Sequence, residues 1–402
     1  MQNKTTNLPQ GWEVKKLEEI ANIKGGKRLP KGKNLLDNNT KFAYIRVADF
    51  QDNGTINLQN IKFINENTYN VLKNYKIYDD NLYISIAGTI GKSGIIPKEL
   101  NGAILTENAV KLEYIQNNIS NKFMYFFTLS NIFKTQIQTS TKIVAQPKLA
   151  ITRLKQIQIP LPPLKEQERI VGILDESFAK IDESIKILEQ DLLNLDELMQ
   201  SALQKAFNPL KDNAKENYKL PQSWEWKSLE EISENISAGG DKPKNCTESK
   251  TAKNQIPVYA NGVNNNGLVG YTDKATIIKP SLTISARGTI GFVCIRKEPY
   301  FPIVRLISLI PCENILCLHY LYFCLNFFIA KGEGSSIPQL TIPKFKSLQI
   351  PLPPLKEQEQ IAEHLDFVFE KAKALKELYT KELKDYEELK QSLLNKAFKG
   401  EL

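Results

Sequence analysis

The segment IPLPPLKEQERIVGILD at 159–175 returns at 350–366 as IPLPPLKEQEQIAEHLD, thirteen of seventeen positions identical at an offset of 191 residues. Self-similarity on this scale means repeated structural units, and it constrains the fold more than any other feature of the chain. The repeat extends outward. LPQGWEVKKLEEI at 8–20 returns as LPQSWEWKSLEEI at 220–232, an offset of 212, and ISIAGTIG at 84–91 as ISARGTIG at 284–291, an offset of 200. QPKLAITRLKQIQIPLPPL at 146–164 and MQSALQKAF at 199–207 return at 337–355 and 390–398, both at 191. The offset shrinks within the first part of each half and is constant over the last. Each half is therefore a variable module followed by one of fixed length. Variable modules are expected to differ in what they bind, and fixed ones to hold a distance.

The fixed modules read as long helices. From Leu174 to Ala206 ten apolar positions follow spacings of four and three, a heptad seam. The second copy keeps the register through Leu365, Phe369, Ala372, Tyr379, Leu383, Tyr386, Leu393 and Ala397, interrupted by Lys376 and Lys390. Pro162-Pro163 and Pro353-Pro354 suit a helix start. Each module is then one helix of about 44 residues, roughly 66 Å long at 1.5 Å per residue. Two such seams in one chain most simply pair as an intramolecular antiparallel coiled coil.

The variable modules carry the positive charge. The formal net charge is +8, and residues 164–207 and 355–402 hold −5 and −2 of it, leaving +15 for the remainder. Basic excess on discrete modules is the footprint of a polyanionic partner. Each module opens with a tryptophan segment and a glycine-containing loop, IKGGKRLPKGK at 23–33 or ISAGGDKPKNC at 236–246. Strand-like runs follow, then an apolar helix at 121–133 or 315–327 and a polar loop leading back to the prolines. The fold class is α+β: two α/β recognition modules with twisted, mostly antiparallel sheets, separated by two long helices, in a pseudo-two-fold internal repeat. The expected boundaries are 1–158 and 218–349 for the modules, 159–207 and 350–402 for the helices, and 208–217 for a linker.

Enzymatic signatures are absent. GTIGKS at 88–93 has Ile86 where a phosphate loop needs its first glycine, and its copy GTIGFV has no lysine, so both read as glycine turns between strands. The two histidines, His319 in an apolar helix and His364 on a long helix, do not repeat and cannot supply a duplicated triad; His319 reads as a core residue. The five cysteines all fall in the second half, so they read as reduced, mostly buried thiols and not as a metal or disulfide framework shared by both copies. The polar start and the absence of an apolar run of about 18 residues lead us to expect a cytoplasmic chain, off the membrane.

The ordered set LPxxWExxxLEEI, glycine loop, ISxxGTIG, QPKL or IPQL and IPLPPLKEQExI, present twice, resembles the specificity subunits of type I restriction–modification systems across essentially the whole chain. The resemblance implies a non-catalytic subunit whose two target-recognition domains each read one half of a split sequence in double-stranded DNA. The helices would act as a ruler between the half-sites. Two methyltransferase subunits carrying S-adenosylmethionine would dock on the helices, and endonuclease/translocase subunits using ATP and Mg would join them. This chain would hold no cofactor and no metal itself. The docking positions expected are Leu164, Ile170, Leu174 and Phe178, with Leu355, Ile361, Leu365 and Phe369.

Expected DNA contacts in the first module are Lys27, Arg28, Lys31, Lys33, Lys92, Ser140, Thr141 and Gln146. In the second they are Lys242, Lys244, Asn261, Asn264, Asn265, Arg287, Ser335, Ser336 and Gln339. Lysines suit phosphates; arginine suits guanine, and asparagine or glutamine suits adenine. The first module is longer between its tryptophan and the proline junction, 147 residues against 126, which argues for an asymmetric target. Two alternatives fit the same pattern: the targeting subunit of a combined restriction–methylation enzyme of another type, and a coiled-coil scaffold without DNA specificity.

Overall fold

A computed structural model describes residues 8–140, 148–207, 223–329, 332–333 and 340–402. It divides into two compact units, Met1–Leu188 with Lys381–Leu402, and Glu189–Thr380. The division falls within both long helices, Leu164–Phe207 and Leu355–Ala397. Each unit is a sheet-rich domain built on the start of one long helix and the end of the other.

In the first unit, strand Ala109–Tyr114 lies between Ala21–Gly25 and Leu82–Ser85, and the latter pairs with Ser93–Ile95, all antiparallel. A second four-stranded sheet orders Lys62–Phe63, Ala43–Ile45, Ala103–Leu105 and Lys76–Ile77, with one parallel pair at its centre. The second unit repeats the first sheet as Ser233–Ala238, Ile307–Pro311, Ser281–Ile284 and Val293–Arg296, again antiparallel. Its second sheet has three strands, Leu268–Thr272, Ile256–Tyr259 and Phe301–Pro302. One sheet is therefore common to both units and the other differs, as the length difference requires.

The repeated motifs meet at the foot of each domain. Glu13–Lys16, just after Trp12, pairs with Gln158–Leu161, just before the prolines; Glu225–Ser228 pairs with Gln349–Leu352 in the same register. The two ends of each domain are thus closed on each other where the long helix starts. The KEQE glutamine completes the closure. Gln167, buried, accepts from the Ser120 amide (2.9 Å) and donates to the carbonyls of Asn118 (3.1 Å) and Pro162 (2.9 Å). Gln358, also buried, accepts from the Cys317 amide (2.9 Å) and donates to Ile315 (2.9 Å) and Pro353 (2.8 Å). One carboxamide per unit ties the apolar helix (Asn121–Leu129 or Leu318–Phe328) to the long helix.

Within each unit the long helices run antiparallel. In the first, Arg169 donates to the Leu402 carbonyl (2.7 Å) and Lys390 pairs with Asp182 (2.6 Å). In the second, Lys376 pairs with Asp196. The two lysines that interrupt the heptad seam are thus the two that reach an aspartate on the facing helix, the polar register device such seams use. The AF ending of each long-helix motif also gains a reason. Phe398 packs against Phe123 and Phe127, and Phe207 against Tyr320, each buried in its unit's core.

Two expectations change here. His319 is not a core residue: its ring Nδ1 lies 2.6 Å from Asp366 Oδ2 on the long helix and it is half-exposed. The matching pair in the first unit is Lys122–Asp175, at 2.6 Å. Of the cysteines, all unpaired, only Cys324 is buried and the other four are half-buried.

Candidate nucleic-acid interface

In the first unit the glycine loop, the GTIG turn and the segment 105–109 converge at one end of the common sheet. Gly26 N–H donates to the Ala109 carbonyl (2.9 Å) and Lys27 N–H to Leu105 (2.9 Å), while Ile86 N–H donates to Asn108 (2.8 Å). Leu149 of QPKL donates its amide to the Ile86 carbonyl (2.8 Å), which places Leu149 at the same edge. GTIG is the glycine turn expected: Gly88 and Gly91 have φ of +75° and +88°, Gly288 and Gly291 +77° and +80°, values that other residues adopt at a cost.

The expected basic contacts fall on this edge with different freedom. Lys31 and Lys33 are exposed and carry no side-chain partner among the described residues. Lys27 is exposed, its ammonium 5.8 Å from the Tyr75 ring centre. Arg28 is not free: its Nε donates to Glu107 Oε1 at 2.6 Å. The hydrogen bond and charge of Glu107 raise the guanidinium's affinity for its proton. Burial pushes the Glu107 carboxyl up, but hydrogen bonds from Arg28, its own backbone and Thr106 outweigh it and hold the group below its ordinary value. Lys92 is half-buried and paired with Asp52 at 2.8 Å. Ser140 ends helix Asn131–Ser140, and its side chain, like Thr141 and Gln146, lies outside the described residues.

The second unit builds the same edge with other chemistry. Gly239 N–H donates to Leu306 (2.8 Å), Val304 N–H to Gly240 (2.8 Å) and Arg305 N–H to Gly239 (2.9 Å). Leu340 of IPQL donates to Ala286 (3.1 Å), matching Leu149 on Ile86. Loop 260–267 is held from below by Arg296, which stacks 3.5 Å from the Tyr259 ring centre and donates to the Asn266 carbonyl (2.5 Å) and Thr283 Oγ1 (3.0 Å). Asn264 and Asn265 stand exposed on that loop, and Lys242, Lys244 and Arg287 are exposed on their own. Ser335, Ser336 and Gln339 lie outside the described residues.

Asn261 is corrected. Its Nδ2 donates to the Val304 carbonyl (2.6 Å) and its Oδ1 accepts from the Ala286 amide (2.9 Å), so both ends of the carboxamide are already engaged inside the fold.

A sequence model described as "Type I restriction modification DNA specificity domain" matches residues 9–192 and again 221–384. The chain belongs to this family of DNA specificity subunits. As a specificity subunit it recognises DNA sequence and performs no catalytic step of its own. A putative type I specificity subunit of Mycoplasma pneumoniae is 29% identical over 357 residues, 87% of each chain. A putative type I restriction enzyme specificity subunit of Methanocaldococcus jannaschii is 24% identical over 98% of this chain and 94% of its own. Two solved structures share the fold at 20% identity. One comes from work on the assembly and conformational transition of a type I restriction–modification system, with a TM-score of 0.80 over 98% of this chain and 100% of that one. The other, the HsdS subunit of Thermoanaerobacter tengcongensis, has a TM-score of 0.61 with both chains fully covered.

For this specificity subunit the expected docking positions are also corrected. Ile170, Leu174 and Leu365 are buried in the unit cores. Phe178 packs edge-on to Phe126 (5.5 Å) and Phe369 to Phe323 (5.2 Å), while Leu164, Leu355 and Ile361 are half-buried. A heptad seam feeds the chain's own packing first, and these side chains are used there. The large apolar residues left open on the long helices are others: Ile187, Leu193, Leu198, Phe367, Leu375, Leu378 and Leu389. Phe367, Leu378 and Leu389 recur every eleven residues, about three turns, and so share one face. In the second unit, a groove of about 620 Å³ between the helices is lined by Leu198, Ala202, Ile361 and Leu365, with His364 at its side.

Two groups were not anticipated as functional: the tethering glutamines and the pair Glu107 and Arg305. The first were announced by their identity at an offset of 191. The second lie in segments that differ between the copies, where the repeat carries no signal. Among the described residues no group of histidine, cysteine, aspartate and glutamate is arranged to hold a metal, and no helix is long and apolar enough to cross a membrane.

Proposed function

We propose that the two loop edges read the two halves of a split, asymmetric target in double-stranded DNA. The observation that carries this reading is one edge built twice on mounts of matching register with different exposed chemistry. The first edge offers lysines beside a neutralised Arg28–Glu107 pair; the second offers asparagines and exposed arginines with no partner among the described residues. Lysines 27, 31, 33, 242 and 244 would neutralise phosphates, giving affinity that falls steeply with salt.

The long helices, 44 and 43 residues, set the gap between half-sites. Two methyltransferase subunits would dock along their open apolar faces, including Leu193, Leu198 and Phe367, and bring S-adenosylmethionine; endonuclease/translocase subunits would bring ATP and Mg. A seven-residue insertion between 188 and 189 and another between 380 and 381 preserves the heptad and adds about 10 Å to each helix. It is expected to move the half-sites about three base pairs apart at ~3.4 Å per pair. The primary test is genome-wide detection of methylated bases with and without this gene, the methyltransferase left in place. A split asymmetric motif that vanishes with the gene supports the reading. An unchanged methylome with an active methyltransferase overturns it and favours a scaffold.

A further inference from the structure

Val304 and Arg305 both adopt left-handed backbone, φ 53° and 58°. For L-residues this conformation costs about 1–2 kcal/mol each, and it is a marked outlier for a β-branched valine. Such strain persists only where the surroundings over-determine it, and it clusters at functional positions. Here the surroundings are fully specified. The amides of Val304 and Arg305 donate to Gly240 and Gly239, and the Val304 carbonyl accepts from Asn261 Nδ2. The other end of that same carboxamide holds the Ala286 amide.

One planar group therefore grips the residue before Arg305 and the residue before Arg287. Both arginines are exposed and have no side-chain partner among the described residues. The first unit has no counterpart among its described residues. Strand pairing (Ile84 with Val110, Ile284 with Ile307) aligns Asn108 with Arg305. There the Asn108 carbonyl itself accepts from Ile86 and Ala87, with no carboxamide between and no arginine at either place.

We propose that Asn261 is a positioning residue that sets Arg287 and Arg305 as a pair of guanine readers, so that the second half-site contains two G·C pairs contacted through the guanine O6 and N7 edges. Phosphate neutralisation needs only charge and would not require a strained, triply held backbone. The planar arginine fork does require a fixed origin to meet guanine with two hydrogen bonds. The proposal rests on the reading that this edge faces DNA.

The test uses the full chain in complex with its methyltransferase, on duplexes carrying the target found from the methylome. Arg287→Ala and Arg305→Ala are each expected to lower affinity for the cognate duplex roughly 10- to 100-fold and to relax preference at one guanine. Each should also remove the penalty of replacing that guanine with 7-deazaguanine. Asn261→Ala is expected to relax both positions together and, with two main-chain hydrogen bonds lost, to lower the thermal midpoint modestly while circular dichroism shows the chain still folded; Asn261→Asp, which keeps the acceptor and loses the donor, should relax mainly the Arg305 position. A second half-site without guanine, or a uniform loss on every sequence with a salt slope smaller by about one, overturns the guanine assignment while leaving the edge on DNA. Wild-type binding and methylation by both arginine variants overturns the edge itself.

Discussion

Replacing Gln358 by alanine isolates the tether between recognition domain and long helix. The side chain is fully buried and makes three hydrogen bonds, all to main-chain groups: the Cys317 amide, and the Ile315 and Pro353 carbonyls. At about 1 kcal/mol net per bond the loss is about 3 kcal/mol, and more if the orphaned groups stay dry, since each buried unsatisfied group costs about 1–3 kcal/mol. Because the chain has two units, a single unfolding midpoint would mix their responses. Hydrogen exchange of the Cys317 amide and of the first turn of Leu318–Phe328 reads the local opening directly. A loss of about 3 kcal/mol lowers protection there roughly a hundredfold, at ~1.4 kcal/mol per decade. Helix Asn121–Leu129 of the first unit should be unaffected. Gln358→Glu keeps the acceptor for Cys317 but sets a carboxylate against two carbonyls, and should be no better than alanine. A change below threefold with Gln358→Ala would refute the view that this carboxamide holds the domain to its arm.

Four further outcomes follow from the geometry. Glu107→Gln releases Arg28 from its charged partner, and is expected to raise affinity for non-specific DNA and steepen the salt slope by about one, measured by titration at several salt concentrations. Glu107 is held below its unfolded value, so its contribution to stability is present above the ordinary carboxylate range and lost as pH falls through and below it; the Glu107→Gln variant should lack that acid-side loss in a denaturation series. Lys390→Met removes one seam pair, but Asp182 is largely exposed, so stability should change by no more than about 1 kcal/mol by urea denaturation. Leu193→Glu with Leu198→Glu should leave DNA binding by the chain intact while abolishing methylation, read by co-purification with the methyltransferase.

The architecture was legible because it is written twice: the proline junction, the LPxxWE strand and the AF helix end are the parts that meet at each domain's foot. Lys376 and Lys390 read as interruptions of the seam because a sequence shows one helix at a time, and their aspartates stand on the other. Docking was assigned to Ile170, Leu174 and Leu365 for the same reason: periodicity says which face is apolar and not whose surface covers it. Asn261 looked like a reader because a carboxamide in a glycine loop suits adenine as well as it suits two backbone groups. His319 was read from its apolar helix, and only tertiary contact shows Asp366 facing it.

What separates mount from edge is the common sheet itself. Strand Ala109–Tyr114 pairs with Gly25 at its edge end, through Val110, and with Ala21 at its foot, through Tyr114. At ~3.4 Å per residue those ends are about 14 Å apart. The mount is held by strand pairing, by main-chain bonds to one glutamine and by the aromatic plug, and none of these uses a side chain of the edge loops. Changing an edge residue therefore leaves the tether's energetics untouched, since sites this far apart without shared partners act nearly additively. That is why the two copies keep the foot's strand register and its glutamine while Glu107 and Ala87 stand where Val304 and Arg287 do, and why edge variants of this chain should alter which DNA is bound before they alter how well it folds.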